Sequence, residues 1–486
     1  SVALAAVVMI GLFVRHEYAF NSSQTNADRM YRVLREFSQE ESSYTEEGLS
    51  GGMVPELRAS SPEVEVSLRW APTHVWVGVG ERFFQQVLVT TETPVFEFFD
   101  IPIVTGSPES FYKAGGGVFL SEKMAHKFFG ETDPIGQTVT IDGGDLAGDY
   151  PVTGLVQVPE NSTLMFDFLI SVANFSDPGF RWTNWLKSGY SPIHVYLRLK
   201  QGADPSVIED RIHQALQRNV EAEIAEQSRY HLQPFRRIYL HSKVDHGMVV
   251  QTFRAAWTKL GDIDYVHTSA LVAGVILLIA GVNFTNLSTA RSMSRSREVG
   301  VRKAVGADRR QIMIQFLGEA VLLSLGAMVV GMFFVELSLP LFNALVGRDL
   351  SLNLMSDGGL LLSVTTVGIL TGILAGSYPA FILSRFSLVS ILGKTKTGAR
   401  GGWVRKTLVI SQFAISAVLI IATFVVNQQV QYIQNKDLGF DREQVLIVPI
   451  FWEARNETSY GRYGIDLKLR FQEVKGAFLD HPNVLS

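Results

Sequence analysis

The sequence has 486 residues, 47% of them hydrophobic, and a formal net charge of -4, so the placement of apolar residues must decide between several soluble domains and a membrane protein. A charge this close to neutral, with no basic run interleaved with stacking aromatics, excludes nucleic acid as a partner. The absence of cysteine excludes disulfides, thiolate metal sites and cysteine nucleophiles, so any exported domain must hold by its core, for which roughly 250 residues suffice.

Residues 1–14, Ser1 to Val14, are apolar. As a helix they reach only about 21 Å, short of a hydrocarbon core of roughly 30 Å. The expectation is the end of a truncated first transmembrane helix; the rival reading, a signal-peptide core, lacks a basic stretch before it and a clear cleavage site after it. Residues 15–265 mix charged and apolar positions as a folded soluble domain does. Within them, His194 to Lys200 and Thr138 to Asp142 alternate as half-buried strands, the second running into a Gly143-Gly144 turn. Ser121 to Gly130 predicts a short helix with Ser121 as N-cap and Gly130 as its stop. Asp204-Pro205 opens a longer helix with Ile208, Ile212 and Leu216 on one face. Strands and helices without a βαβ rhythm predict an α+β domain.

Four stretches are long and apolar enough to cross a bilayer. Thr268 to Ala290, Gly358 to Ser384 and Thr407 to Asn427 hold no charged residue, and Gln311 to Val335 holds only Glu319. The expected spans are 266–290, 311–336, 358–384 and 407–429. The intervening 291–310 carries seven bases (Arg291, Arg295, Arg297, Arg302, Lys303, Arg309, Arg310) against Glu298 and Asp308, and 385–406 carries six bases and no acid. Between Glu336 and Asp357 the one base is Arg348. Basic loops stay in the cytoplasm, so 337–357 and the large domain face outward. Residues 430–486, soluble again, read as the start of a second outer domain. The fold class is therefore an α-helical membrane protein with a large α+β extracytoplasmic domain inserted between the first and second transmembrane helices.

The stretch Arg295-Ser-Arg-Glu-Val-Gly-Val-Arg-Lys-Ala-Val-Gly-Ala307, followed by Gln315-Phe-Leu-Gly-Glu-Ala320, resembles the cytoplasmic loop and third helix of the MacB/FtsX-like ABC-transporter permeases. The resemblance extends to Asn283-Phe-Thr-Asn-Leu-Ser-Thr-Ala-Arg291, Gly376-Ser-Tyr-Pro-Ala-Phe381 and Gln412-Phe-Ala-Ile-Ser416. Outside the membrane it covers Asn26 to Val33, Leu120 to Ala125, Lys127 to Gly130, Asp133 to Gly136 and Val152 to Leu155, and it looks closest to the long, duplicated members with two MacB-like core domains.

Read as a helix, 291–310 repeats arginine at 295, 302 and 309, pairs Glu298 with Arg302 one turn on, and offers Val299 and Val305 for apolar contact. Charge alone supports a topology and lipid-headgroup role. The resemblance implies instead that Arg295, Arg297, Glu298, Gly300, Arg302, Lys303 and Gly306 contact a cytoplasmic ATPase. Glu319, an intramembrane acid near the cytoplasmic end of its span, is either a functional partner for a loop arginine or an interfacial anchor. Gly372 and Gly376 form a small-xxx-small pattern for close helix packing. Tyr378-Pro379 kinks or ends its helix, and Pro379 leaves a carbonyl one turn earlier without its donor.

Gly393-Lys394-Thr395 is not a phosphate-binding loop, because Leu388 stands where that motif needs glycine and no strand precedes it. The ten histidines show no metal-ligand spacing, and no serine sits in a nucleophile elbow. What the resemblance implies is a non-catalytic permease subunit that binds no cofactor directly, with ATP and Mg in the partner ATPase. Further implied partners are membrane lipid, a second copy or second half making a dimer or pseudo-dimer, and a periplasmic or outer-membrane protein. The implied substrates are peptides, lipoproteins or other amphiphiles on the outer side. A regulatory member of the same family, acting on a cell-wall hydrolase or sensor without transport, is the alternative.

Overall fold

A computed structural model describes residues 1–39, 42–113, 115–142, 146–159, 161–174, 193–248, 258–354, 356–385, 399–436, 475–476 and 478–480. The Gly143-Gly144 turn, the decoy at 393–395 and most of 386–406 and 430–486 lie outside the described residues.

The large N-terminal domain is built on one sheet of eleven strands among the described residues. These are β1 (Met30–Gln39), β2 (Ser42–Glu47), β3 (Val64–Val79), β4 (Arg82–Thr91), β5 (Ile103–Thr105), β6 (Val118–Ser121), β7 (Thr138–Asp142), β8 (Gly148–Val156), β9 (Phe168–Ser171), β10 (His194–Leu199) and β11 (Ser228–Pro234). The main order is β11-β1-β10-β3-β4-β9-β6-β8-β5, with β2 on β1 and β7 on β3 and β8. Among the described strands only β4 with β9 and β6 with β8 run parallel; the domain is mixed α and β.

The helices that matter here are α1 (Val2–Tyr18), α2 (Val54–Ser60), α3 (Glu122–Phe129), α4 (Pro205–Asn219), α5 (Ile238–His246), α6 (Ile263–Ala304), α7 (Arg309–Val346), α8 (Gly358–Arg385) and α9 (Ala399–Asn435). Local chemistry accounts for their ends. Ser121 accepts from the Met124 amide at the start of α3, and Gly130, at φ +61°, ends it where a side chain would be strained. Asp204 caps α4, Pro205 fills its first turn, and Ile208, Ile212 and Leu216 bury against Leu57 of α2 and the sheet.

β10 departs from the half-buried strand its alternation predicts: all its residues except Arg198 are buried. Its polar positions are paired inside the domain. His194 Nδ1 lies 2.9 Å from Glu47 Oε2, and Arg198 Nε lies 3.1 Å from Glu65 Oε1. Glu47 also accepts from Arg32 Nη1 at 2.5 Å and Thr258 Oγ1 at 2.8 Å. Burial alone would push the Glu47 carboxyl up, but the Arg32 guanidinium and the His194 ring outweigh it and hold the group at about 2.

Among the described residues, four helices are long and apolar enough to cross a membrane, over Ile263–Thr289, Arg309–Val346, Gly358–Phe381 and Val409–Asn435. α1 runs four residues past the predicted end at Val14 and packs among them. Its Leu4, Ala5, Val8 and Leu12 form one core with Met328, Val335 and Leu339 of α7 and Leu360 and Val364 of α8. Gly331 makes room for this, since an added Cβ would come within 3.2 Å of the Ser1 carbonyl oxygen.

Candidate functional site

The basic segment 291–310 is mostly helix. α6 continues without interruption through its apolar span and on to Ala304, because nothing between Ala290 and Val299 breaks a helix. The chain then turns at Gly306, whose φ of +100° favours glycine. Asp308 restarts it with a reciprocal cap: its side chain accepts from the start of α7, and Gln311 Oε1 accepts from the Asp308 amide at 3.2 Å. The result is a helical hairpin whose arms meet beside the turn, at the end of the bundle remote from the large domain.

A polar ladder closes this hairpin. Arg302 Nη2 donates to Glu298 Oε1 one turn earlier at 2.7 Å, and Arg302 Nη1 donates across the turn to Gln315 Oε1 on α7 at 2.5 Å. Gln315 Nε2 donates in turn to Glu319 Oε1 at 3.3 Å. Glu319 is thus linked to Arg302 through Gln315. An apolar pair backs the ladder: Val299 and Ile312 are both buried, with Ala307 and Phe316 against them.

Two expectations change. Val299 is used inside the hairpin, while Val305, 86% exposed, and Val301, 61% exposed, point outward. The arginine repeat at 295, 302 and 309 does not share one helix face, because α6 ends at Ala304 and Arg309 opens α7. Gly300 is buried and Lys303 half-buried. Arg295 and Arg297 lie on the helical backbone of α6, and their side chains fall outside the described residues. One contact had no signal in the sequence: the Arg309 guanidinium lies over the Phe381 ring at 5.3 Å, tying the start of α7 to the end of α8.

Higher in the bundle, α7 and α8 touch backbone to backbone. A Cβ at Gly372 would fall 2.6 Å from Val321 Cα, and one at Gly376 would fall 2.5 Å from Ala320 Cβ. α8 does not end at Tyr378-Pro379; it runs through Pro379 to Arg385. Proline cannot donate to the Ala375 carbonyl, and Thr285 Oγ1 of α6 fills that place at 2.9 Å. Ser324 of α7 likewise donates to the Gly368 carbonyl at 2.8 Å.

The chain matches two family models: the MacB-like periplasmic core domain over residues 1–215 and the FtsX-like permease C-terminal over residues 270–388. It is 26% identical over 276 residues to the ABC transporter permease YknZ of Bacillus subtilis, a match covering 55% of this chain and 59% of that protein. It is 30% identical over 123 residues to the macrolide export ATP-binding/permease protein MacB of Bdellovibrio bacteriovorus, covering 25% of this chain and 18% of that protein. The chain thus spans less than two thirds of the length of these relatives. Among solved structures it is similar to the periplasmic region of MacB from Actinobacillus actinomycetemcomitans, at 12% identity and TM-score 0.29 over 44% of this chain and 90% of that one. The apolar helices and the two family-model matches make it a multi-pass inner-membrane protein whose large domain lies outside the cytoplasm. With a MacB-like core domain followed in the same chain by an FtsX-like permease segment, it belongs to the MacB/FtsX-like family of ABC-transporter permeases.

Proposed function

We propose that this chain is the permease subunit of an ABC transporter and that it couples ATP hydrolysis by a separate cytoplasmic ATPase to movement of the outer domain. The observation that carries this reading is the cytoplasmic hairpin of α6 and α7, in which Arg302 joins Glu298 to Gln315. A hairpin stiffened in this way moves as one body, so a push on its exposed tip at Val301 and Val305 is passed into two membrane helices together. The coupling element is then Arg295, Arg297, Glu298, Arg302, Lys303 and Gly306, with Gly300 buried beneath them and Glu319 as the inner anchor of the ladder.

In this proposal α1 is the first transmembrane helix, which puts the outer domain between the first and second; its burial among α7 and α8 supports the reading. The subunit is non-catalytic and binds no cofactor, ATP and Mg belonging to the ATPase. It works as a homodimer or as one half of a duplicated pseudo-dimer, with 430–486 beginning the second outer domain. The work done is efflux or extraction of peptides, lipoproteins or other amphiphiles, with a periplasmic or outer-membrane partner.

Affinity purification of the full-length protein from its native membrane in lipid nanodiscs tests this. Recovery of an ATPase with an intact phosphate-binding loop, in constant ratio to the permease, is the expected result. Recovery of the permease with no nucleotide-hydrolysing partner would overturn it.

A further inference from the structure

At the opposite end of the bundle, three residues from three separate pieces of chain close a hydrogen-bonded ring. Glu17 lies near the end of α1 and is only 4% exposed. Its Oε2 accepts from the Tyr239 hydroxyl at 2.7 Å and its Oε1 from Arg348 Nε at 2.9 Å. Arg348 Nη2 then donates to the Tyr239 hydroxyl at 2.8 Å. Tyr239 belongs to α5 of the outer domain, and Arg348 to the turn between α7 and α8. The ring therefore joins the first helix, the outer domain and the hairpin formed by α7 and α8.

The surroundings make this a built joint. Phe20 stacks on the Tyr239 ring with centroids 3.5 Å apart. The Tyr239 carbonyl accepts from the Gly261 amide at 2.8 Å, just before α6, and Gly261 has no room for a side chain, since a Cβ would lie 2.8 Å from Tyr239 Cε1. Lys243 of α5 pairs with Asp262, the cap of α6, at 2.5 Å. Arg15 of α1 pairs with Asp357 at the start of α8, also at 2.5 Å. Arg348 stands one residue beyond Gly347, which ends α7 at φ +63°, so a shift or rotation of α7 carries the guanidinium with it.

We propose that Glu17, Tyr239 and Arg348 form a clasp through which movement of the α7 and α8 hairpin reaches the outer domain, a route additional to the covalent links through α1 and α6. The proposal rests on the coupling reading given above. Three groups in a ring fix orientation as well as proximity, because the guanidinium reaches carboxylate and phenol together. Burial pushes the Tyr239 hydroxyl up and Glu17 adds to that, so the phenol remains a donor at every physiological pH. Glu17 and Tyr239 are both buried, so taking away Arg348 leaves them without that partner away from water, and the ring does not loosen gradually.

The test uses the full-length protein in nanodiscs, first alone and then with its ATPase. Arg348→Gln and Tyr239→Phe break the ring, and the second keeps the stack on Phe20; Arg348→Lys keeps the charge but cannot span both partners. In the protein alone, hydrogen exchange is expected to quicken by about tenfold at 238–246 and 347–353 in the first two variants while the strands of the sheet stay unchanged. Unchanged exchange at both segments would overturn the clasp. These 486 residues contain no cysteine, so spin labels at Glu223→Cys and Val418→Cys then report the outer domain against α9. A wild-type distance that answers to nucleotide, a response at least halved by Arg348→Gln and Tyr239→Phe, and partial rescue by Arg348→Lys support transmission through the clasp. Variants that respond as the wild type does defeat the clasp and leave the coupling reading standing. A wild-type distance that ignores nucleotide defeats the coupling reading, and transmission through the clasp falls with it.

Discussion

The Thr285 hydroxyl of α6 donates to the Ala375 carbonyl of α8 at 2.9 Å, and that carbonyl is the one Pro379 leaves without a helical donor. The bond lets a proline sit inside a membrane helix without an orphaned backbone group. Thr285→Val keeps the shape and removes the donor. It is expected to cost about 1 kcal/mol, within the range for interhelical hydrogen bonds in membranes. Reversible unfolding in bicelles measures this. In a Pro379→Ala background, where the replacement restores the missing backbone amide, the same substitution should cost clearly less; an equal cost would mean that the two residues act independently.

Gly372 and Gly376 set how closely α7 and α8 approach. Gly372→Ala puts a methyl group against the Val321 backbone, which cannot give as a side-chain tip would. The expected loss is about 1–3 kcal/mol of bundle stability. Gly318→Ala and Gly326→Ala serve as controls, since neither Cβ would meet anything within 4 Å, and both should be neutral or slightly stabilising through helix propensity.

The buried Glu47 gives the outer domain an acid limit. Its carboxyl is held at about 2 in the folded domain against an ordinary value of 4.5. A depressed folded value means the contribution is complete above about 4.5 and is lost as pH falls from there towards 2. Glu47→Gln should lower stability at neutral pH by about 3–5 kcal/mol, because Arg32 is left buried without its counter-charge. It should also flatten the stability profile between pH 4.5 and 2. Denaturant unfolding followed by near-ultraviolet circular dichroism, at neutral pH and across that interval, checks both, and an unaltered profile in the variant would refute the assignment.

Topology is open to direct labelling, because these 486 residues hold no cysteine and any outside them can be replaced by serine. Val104→Cys, 49% exposed on β5, should react with a membrane-impermeant maleimide in cells whose outer membrane alone is permeabilised. Val305→Cys, 86% exposed at the hairpin tip, should react only after the inner membrane is opened. The reverse pattern would invert the orientation.

Elements bounded by local chemistry were legible in the sequence. The caps at Ser121 and Asp204 and the stop at Gly130 need only neighbouring residues, and they fall where the sequence reading puts them. α6 runs on past its apolar span to Ala304, because hydropathy marks the edge of the bilayer whereas the helix ends where the backbone demands it. The signal for that end was present in Gly306 and the Asp308-x-x-Gln311 box. β10 misled because polar residues at His194 and Arg198 normally mark a solvent face, and here each lies against a carboxylate of the same domain, Glu47 and Glu65. The clasp had no local signature at all, since its partners lie 222 and 331 residues apart.

The proposed function requires the α6 and α7 hairpin to transmit the state of an ATPase. The most direct measurement is the ATPase activity of the co-purified complex in lipid, comparing wild type with a Glu298→Ala, Arg302→Ala double substitution. The pair is nearly half exposed, so its loss should cost folding stability only about 0.5 kcal/mol, and the variant remains folded. The expected result is that the ATPase is released or that its permease-dependent rate falls at least about fivefold, the lower end of ordinary coupling between sites. A variant complex that assembles and hydrolyses ATP as the wild type does would contradict it.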